Sequence, residues 1–363
     1  MFCIAPPYTS PHTTASAHLS LLLLLFSTRM MTKLPQSCAS WRLIDIGLNL
    51  TDHMYKGVYN GRQQHTSDIE SILQRAVEVG VHGLLLTGGN LMESKAVIDM
   101  CARYNSDTLQ FFCTVGCHPT RCQEFVDDPD GYLKALDDLI RKHSVHVGGC
   151  VAAVGEIGLD YDRLPFCPKE IQKEYFEKQL VMAKRHRLPL FLHERNTVGD
   201  FKTLLKPHLP ELVGGVVHSF TGSRAELQEY LDANLYIGVN GCSLKTAENL
   251  ETVRAIPLDR LMLETDAPWC ELKGTHASKA LLTAAAKRAS SQQSVSDTIL
   301  ATFPTCRKDK FKEGCVVKGR NEPCAIVRVL EVVYELRREE VSSMEQLAEV
   351  VLTTTRKLFP FAA

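Results

Sequence analysis

The stretch VAAVGEIGLD, Val151–Asp160, begins with small and apolar residues and then sets a carboxylate, Glu156, directly after them. A short apolar run of this kind suits a parallel strand covered on both faces. Three other runs end on side chains of similar character. Leu190–Leu192 runs into His193, Gly215–Val217 into His218, and Arg260–Leu263 continues through Glu264 and Thr265 to Asp266. Outward from these, Leu43–Ile46, Gly83–Thr87, Phe111–Val115 and Leu235–Val239 complete eight strand candidates. Helical patterns separate them: Ser67–Val79, Leu91–Tyr104, Gly131–Lys142, Lys169–Arg187, Arg224–Ala233 and Leu244–Ala255. Ser67 and Glu70 have capping-box spacing, and Ile171, Tyr175, Leu180 and Ala183 are placed to share a buried helix face.

Eight strands alternating with helices predict a parallel sheet. Closed on itself, such a sheet is a TIM-type (β/α)8 barrel; left open, it is a doubly wound sheet. The position of the polar residues favours the barrel, because its C-terminal strand ends all face one mouth, where active sites are built. Two further helices, Ala325–Glu339 and Ser343–Phe359, are expected to pack outside it.

A single histidine after an apolar run is more often a satisfied core side chain than a ligand, and a single acid there is often a cap or an ion-pair partner. Four such residues at equivalent topological positions point instead to a shared site. Glu156, His193, His218 and Asp266 form a mixed nitrogen and oxygen donor set suited to Mg²⁺, Mn²⁺ or Zn²⁺, and the lack of cysteine among them argues against a structural zinc knot. An open coordination position would serve hydrolysis.

Composition limits the alternatives. Hydrophobic residues make up 45% of the 363 residues and charged residues 23%, an ordinary globular balance. The net charge of −1 excludes a uniformly basic nucleic-acid binder but not a local basic patch. Residues 271–320 supply one, with ten Lys or Arg against four acids, and read as an irregular loop over the barrel within a domain spanning 41–363. The 13 cysteines include no C-x-x-C pair and suit free thiols in a reducing compartment.

Residues 1–40 form a separate N-terminal extension, disordered or targeting, with no acid before Asp45. The apolar run Leu19–Phe26 is too short to span a bilayer, which takes about 20 residues, so no membrane role is expected. Arg29 and Lys33 follow that run, the reverse of the order in a secretory signal. A transit segment and an extension upstream of a start at Met30 or Met31 both fit. The expected location is intracellular, nuclear or cytoplasmic, or mitochondrial for a transit segment.

GEIGLD (Gly155–Asp160), FLHER (Phe191–Arg195), VVHSFTG (Val216–Gly222) and ETDAPW (Glu264–Trp269) resemble the signature segments of TatD-type deoxyribonucleases. So do DIGLNLT (Asp45–Thr51), GCHP (Gly116–Pro119) and RNEP (Arg320–Pro323), in the right order over residues 43–360. The resemblance implies a metal-dependent hydrolase acting on DNA, typically as a 3′→5′ exonuclease on single-stranded ends. It also implies that Glu156, His193, His218 and Asp266 are metal ligands. Many relatives carry an H-x-H pair after the first strand; here Gly47 and Asn49 stand there, as in one subgroup. One firmly held ion is therefore expected, a second depending on substrate oxygens. The stretch Ala280–Asp297 looks longer than the family requires.

Asp266 is expected to orient or deprotonate the attacking water, with His118 and Arg195 at the phosphate. Turn structure and a rim ion pair are their ordinary alternatives. Glu264 is placed to orient a ligand imidazole, Asn49 and Asn321 lie near the site, and Trp269 either stacks a terminal base or packs under a loop. An amide or ester hydrolase on the same scaffold and a non-catalytic binding protein remain the competing readings. Nothing in the sequence requires more than a monomer.

Overall fold

The computed structural model describes residues 41–362, and the expectations for residues 1–40 lie outside them. Eight parallel strands follow one another in spatial order: β1 Leu43–Leu48, β2 Val81–Leu86, β3 Gln110–Val115, β4 Val151–Asp160, β5 Leu190–Arg195, β6 Gly215–Val217, β7 Tyr236–Val239 and β8 Leu261–Leu263. β1 and β8 meet at a short seam. Leu48 bridges to Ala267, the Asp266 amide donates to the Gly47 carbonyl at 2.9 Å, and the Asn49 amide donates to the Ala267 carbonyl at 2.9 Å. Lower in the seam, where the ladder is absent, the Asp45 carboxylate accepts from the Thr265 amide at 2.9 Å and from its hydroxyl at 2.5 Å. The result is the expected (β/α)8 barrel.

The helices on its outer face are α1 Ile69–Glu78, α2 Leu91–Tyr104, α3 Pro129–His143, α4 Lys169–His186, α5 Asp200–Leu205, α6 Arg224–Asp232 and α7 Ala247–Arg254. Then come α8 Ser278–Arg288, α9 Val295–Leu300, α10 Ile326–Arg337 and α11 Met344–Arg356. Leu352 of α11, with Phe359 and Phe361 beyond it, joins a buried cluster with Ile44, Ile46, Phe191, Val216 and Met262. Phe359 and Phe361 thus close the barrel at the N-terminal ends of its strands, opposite the mouth, while α11 lies against β8 and β1. Gly83 of β2 makes this possible, since a β-carbon there would stand 2.6 Å from the Phe361 ring. Among the described residues no helix is long and apolar enough to cross a membrane.

Several expectations need correction. Segment 271–320 is less irregular than expected: α8 and α9 lie within it, and Ala280–Asp297 is largely helical. The Ser67–Glu70 capping box does not form. α1 begins after Asp68, which makes no cap bond because Arg320 grips its carboxylate, while the Ser67 hydroxyl donates to the Tyr55 carbonyl. Capping boxes form instead at Ser223–Glu226 and Thr246–Asn249. In α4 the inward face carries Gln172 and Gln179 beside Tyr175, Leu180 and Ala183, with Ile171 only half-buried. α5 was not anticipated, being only six residues long with little periodicity to read. β4 and β5 run beyond the residues taken as their ends, so Glu156 and His193 lie within strands rather than after them. Their ladder shifts register between Val154 and Ile157, a bulge that re-aims Glu156 into the mouth.

Candidate active site

Three side chains converge on one point at the mouth. Glu156 Oε1 lies 2.8 Å from His193 Nδ1 and 2.8 Å from His218 Nε2, and those two nitrogens are 3.4 Å apart. His118 Nε2 approaches the same oxygen at 3.3 Å. The backbone permits this crowding where side chains are missing: a β-carbon on Gly158 would stand 1.8 Å from the His193 carbonyl, and Gly158 has φ +147°.

Each imidazole is backed by a second group. Asp160 Oδ2 stands 3.3 Å behind His193 Nε2, and Glu264 Oε2 stands 3.6 Å behind His218 Nδ1. Glu264 is fixed in turn by the Ser219 amide at 2.5 Å and Asn240 Nδ2 at 3.0 Å. The His118 ring is held by Thr120, whose amide donates to Nδ1 at 3.2 Å; this leaves Nε2 to carry the proton toward Glu156. Two buried glutamines of α4 brace the loops beneath. Gln179 exchanges bonds with both backbone groups of Cys117, beside His118. Gln172 does the same for Asp160.

Asp266 is not part of the tight cluster. Donor atoms within 4.8 Å of one another form the groups Glu156–His193–His218 and His118–Asp160–His193, and Asp266 belongs to neither. Its carboxylate lines the same cavity, held by Asn49 Nδ2 at 2.9 Å and the Cys270 thiol at 3.2 Å. Its backbone has φ +52°, a conformation costly for a non-glycine residue. Asn321 supports this loop from below, its side-chain amide donating to the carbonyls of Thr265 at 3.1 Å and Trp269 at 2.8 Å. Arg195 lies at the rim, 4.0 Å from Asp162, and Trp269 is 53% exposed at the mouth rather than packed beneath a loop.

The electrostatics favour positive charge. Burial alone would raise Glu156, yet the facing His218, His118 and His193 rings hold its carboxyl well below the ordinary range. Burial would lower His218, but Glu156 and Glu264 hold it well above its usual value. His193 is likewise raised against burial by Asp160 and Glu156, whereas burial prevails at His118, which is lowered. Burial pushes Asp266 up to about 6, with His218 opposing and Glu264 and Glu156 adding to it. Such a pocket binds protons because it is rich in carboxylates, and a cation would take their place.

The donor set passes a geometric test for a divalent ion. Ligand atoms with metal bonds of about 2.0–2.2 Å stand roughly 3–3.5 Å apart, close to the spacings of the Glu156–His193–His218 trio. His193 Nε2, His218 Nδ1, Asp160 Oδ2 and Glu264 Oε2 are all buried without a hydrogen-bond partner. Asn49 offers no imidazole nitrogen in the place of a histidine ligand, and its amide nitrogen donates to Asp266. Nor can Gly47 simply regain a side chain, because a β-carbon there would lie 2.7 Å from Glu264 Oε2.

Residues 44–360 match the family model described as TatD related DNase. The chain belongs to the TatD family. It is 44% identical to the Deoxyribonuclease Tat-D of Schizosaccharomyces pombe over 86% of this chain and 94% of that protein. A 3'-5' ssDNA/RNA exonuclease TatD of Erwinia amylovora is 37% identical over 62% of this chain and 80% of that one. Among solved structures, an uncharacterized amidohydrolase from Saccharomyces cerevisiae superposes with TM-score 0.79 at 35% identity, covering 88% of this chain and 100% of that one. Within this TatD barrel the cavity measures about 550 Å³ and is rimmed by Arg121, Arg163 and Arg195. Of these only Arg195 was singled out from sequence. Asp160 was missed although the pattern held a clue: it lies four residues beyond Glu156 on one strand, hence on the same face. Arg121, Gln172 and Gln179 carried no comparable signal.

Proposed function

We propose that this protein is a metal-dependent deoxyribonuclease that hydrolyses DNA phosphodiester bonds, working from single-stranded 3′ ends. The observation that carries this reading is one carboxylate and two imidazoles gathered at a point, inside a cavity rimmed by three arginines. Glu156, His193 and His218 would hold the divalent cation, with Asp160 and Glu264 orienting the two rings. The bound cation supplies Lewis-acid polarisation of a phosphoryl oxygen and a water of lowered pKa. Asp266, held by neutral donors and pushed up to about 6, is suited to take the proton from the attacking water. Arg121, Arg163 and Arg195 are placed to grip non-bridging phosphate oxygens, a match that a neutral amide or ester would not use. His118 carries a proton on the atom facing Glu156 and orients that carboxylate.

Trp269 separates this cavity from a neighbouring one of about 720 Å³, lined by Tyr59, Arg307, Lys308 and Lys318 among others. A single strand could stack its terminal base on Trp269 and run its backbone along the basic side. With Asn49 in place of a histidine, one ion is firmly held and a second depends on the substrate. The described cysteines are free thiols, which favours an intracellular site of action, nuclear or cytoplasmic.

The test is shortening of end-labelled single-stranded DNA and RNA by the full chain, with Mg²⁺ or Mn²⁺ and then with EDTA, beside His193→Ala and Asp266→Asn. Metal-dependent loss of 3′ nucleotides is expected, with His193→Ala low in bound metal and Asp266→Asn folded but slowed at least 100-fold. No metal-dependent shortening by the wild type would overturn the nuclease reading. Unchanged turnover in Asp266→Asn would remove that residue from the chemistry.

A further inference from the structure

Two thiols stand against the Asp266 side of the cavity, and the scheme above uses them only through the Cys270 donor to Asp266. Cys242 follows β7 and Cys270 follows β8, and both are partly exposed. Their sulfurs are 2.7 Å apart, with Cys242 donating to Cys270 and Cys270 donating to Asp266 Oδ2 at 3.2 Å. The Cys113–Cys150 pair at the other end of the barrel is looser, at 3.8 Å. A disulfide needs a separation of about 2.05 Å, so less than roughly 1 Å of travel would join Cys242 to Cys270. The two loops already lie in contact. Gly241 packs directly on the Cys270 carbonyl, which would lie 2.0 Å from any β-carbon at that position. Both sulfurs line the cavity, so a small oxidant reaches them by the substrate's own entrance.

We propose that Cys242 and Cys270 are a peroxide-oxidisable dithiol, and that its disulfide form impairs the site through Asp266. One thiolate attacks a peroxide oxygen and the O–O bond breaks, giving a sulfenic acid and water. The second thiol then displaces the sulfenic oxygen as another water, forming the S–S bond. Each sulfur gives up one electron, the peroxide accepts both, and both thiol protons leave in water. A dithiol reverses the step by exchange. Oxidation removes the S–H that Cys270 offers to Asp266 and ties the β7 loop to the loop carrying that carboxylate.

The reduced full chain would be exposed to graded hydrogen peroxide, quenched with N-ethylmaleimide and digested for mass spectrometry. At doses that leave Cys101, Cys113 and Cys150 alkylated, Cys242 and Cys270 should appear in one cross-linked peptide lighter by two hydrogens, and dithiothreitol should separate them. Cys242→Ser should abolish the link and leave Cys270 as a sulfenic acid that dimedone traps. Both cysteines remaining alkylated while other thiols oxidise, or either linking elsewhere, would overturn the proposal. Its effect on turnover rests on the nuclease reading. Oxidised protein should cut single-stranded DNA on the order of tenfold more slowly and recover with dithiothreitol; an unchanged rate would refute the coupling to Asp266. A reduced chain that cuts no DNA counts only against the nuclease reading, because the mass measurement does not depend on substrate.

Discussion

Glu264 is enclosed on every side: Gly47 and Gly238 press against its carboxylate, the Ser219 amide and Asn240 hold one oxygen, and His218 faces the other. Its work is to keep the His218 ring turned so that Nε2 points at the metal position. Glu264→Gln keeps the size and one acceptor but presents an amide group to Nδ1, which favours the wrong tautomer. Affinity for Mn²⁺ or Zn²⁺ should fall roughly 10- to 100-fold, read by calorimetric titration. Equal affinity would reduce Glu264 to a filler between two glycines. At this scale the sequence is legible where chemistry coincides with strand position. Glu156, His193 and His218 stood out because hydrophobic runs lead straight into them. Asp266 was recognised by the same logic, yet its separation from the trio depends on Asn49 and Cys270, from β1 and the β8 loop, and no local pattern reports such contacts.

Arg320, Asn321 and Glu322 work as an element, a clamp under the loop that bears Asp266. The Arg320 guanidinium, fully buried, forms two bonds with Asp68 at 2.7 and 2.6 Å and one with Glu322 at 2.9 Å. Arg75 completes the balance with a 2.8 Å bond to Glu322, so two cations meet two carboxylates out of contact with water. Tyr55 closes the base, its hydroxyl donating to the Asn321 carbonyl at 2.9 Å. Removing Arg320 takes both hydrogen bonds from Asp68 and leaves Arg75 alone to balance two buried acids. Arg320→Ala should cost about 3–5 kcal/mol in urea unfolding, and a loss below about 1 kcal/mol would mean that water or Arg75 replaces it. The RNEP segment was legible as site-near by resemblance alone. Its partners lie 252 and 247 residues away in sequence, at Asp68 and through Arg75, and an N-cap reading of Ser67 drew attention one residue from the group that matters.

For the whole molecule, alternation of apolar runs and amphipathic stretches was enough to predict a parallel sheet, and the polar residues at its strand ends decided for the barrel over an open doubly wound sheet. Helix ends and the content of 271–320 were not legible, because there tertiary contacts rather than periodicity decide. The seam has a measurable pH signature. Burial raises Asp45 from 3.8 to about 7, against the bonds from Thr265 and Gly47 that lower it. The folded state therefore holds a proton the unfolded chain has released, so this contribution to stability is full below about 4 and is lost as pH rises through about 7. Asp45→Asn, which keeps an acceptor for both amides, should flatten the fall in unfolding free energy across that window by up to roughly 4 kcal/mol, read from urea unfolding at each pH. Identical slopes in the two chains would assign the pH dependence to other groups. The same seam bears on the order of events during synthesis. Its two edges come from opposite ends of the barrel, β1 and β8, and Arg320 and Asn321, which support the Asp266 loop beside it, follow both in sequence. Until they are synthesised, Glu156, His193 and His218 can already be in place while the loop bearing Asp266 lacks the support of Asn321 and two strand edges stay open to other chains. A barrel still lacking that segment is therefore exposed to pairing at its open edges, and the loop bearing Asp266 gains its support only after all eight strands have been made.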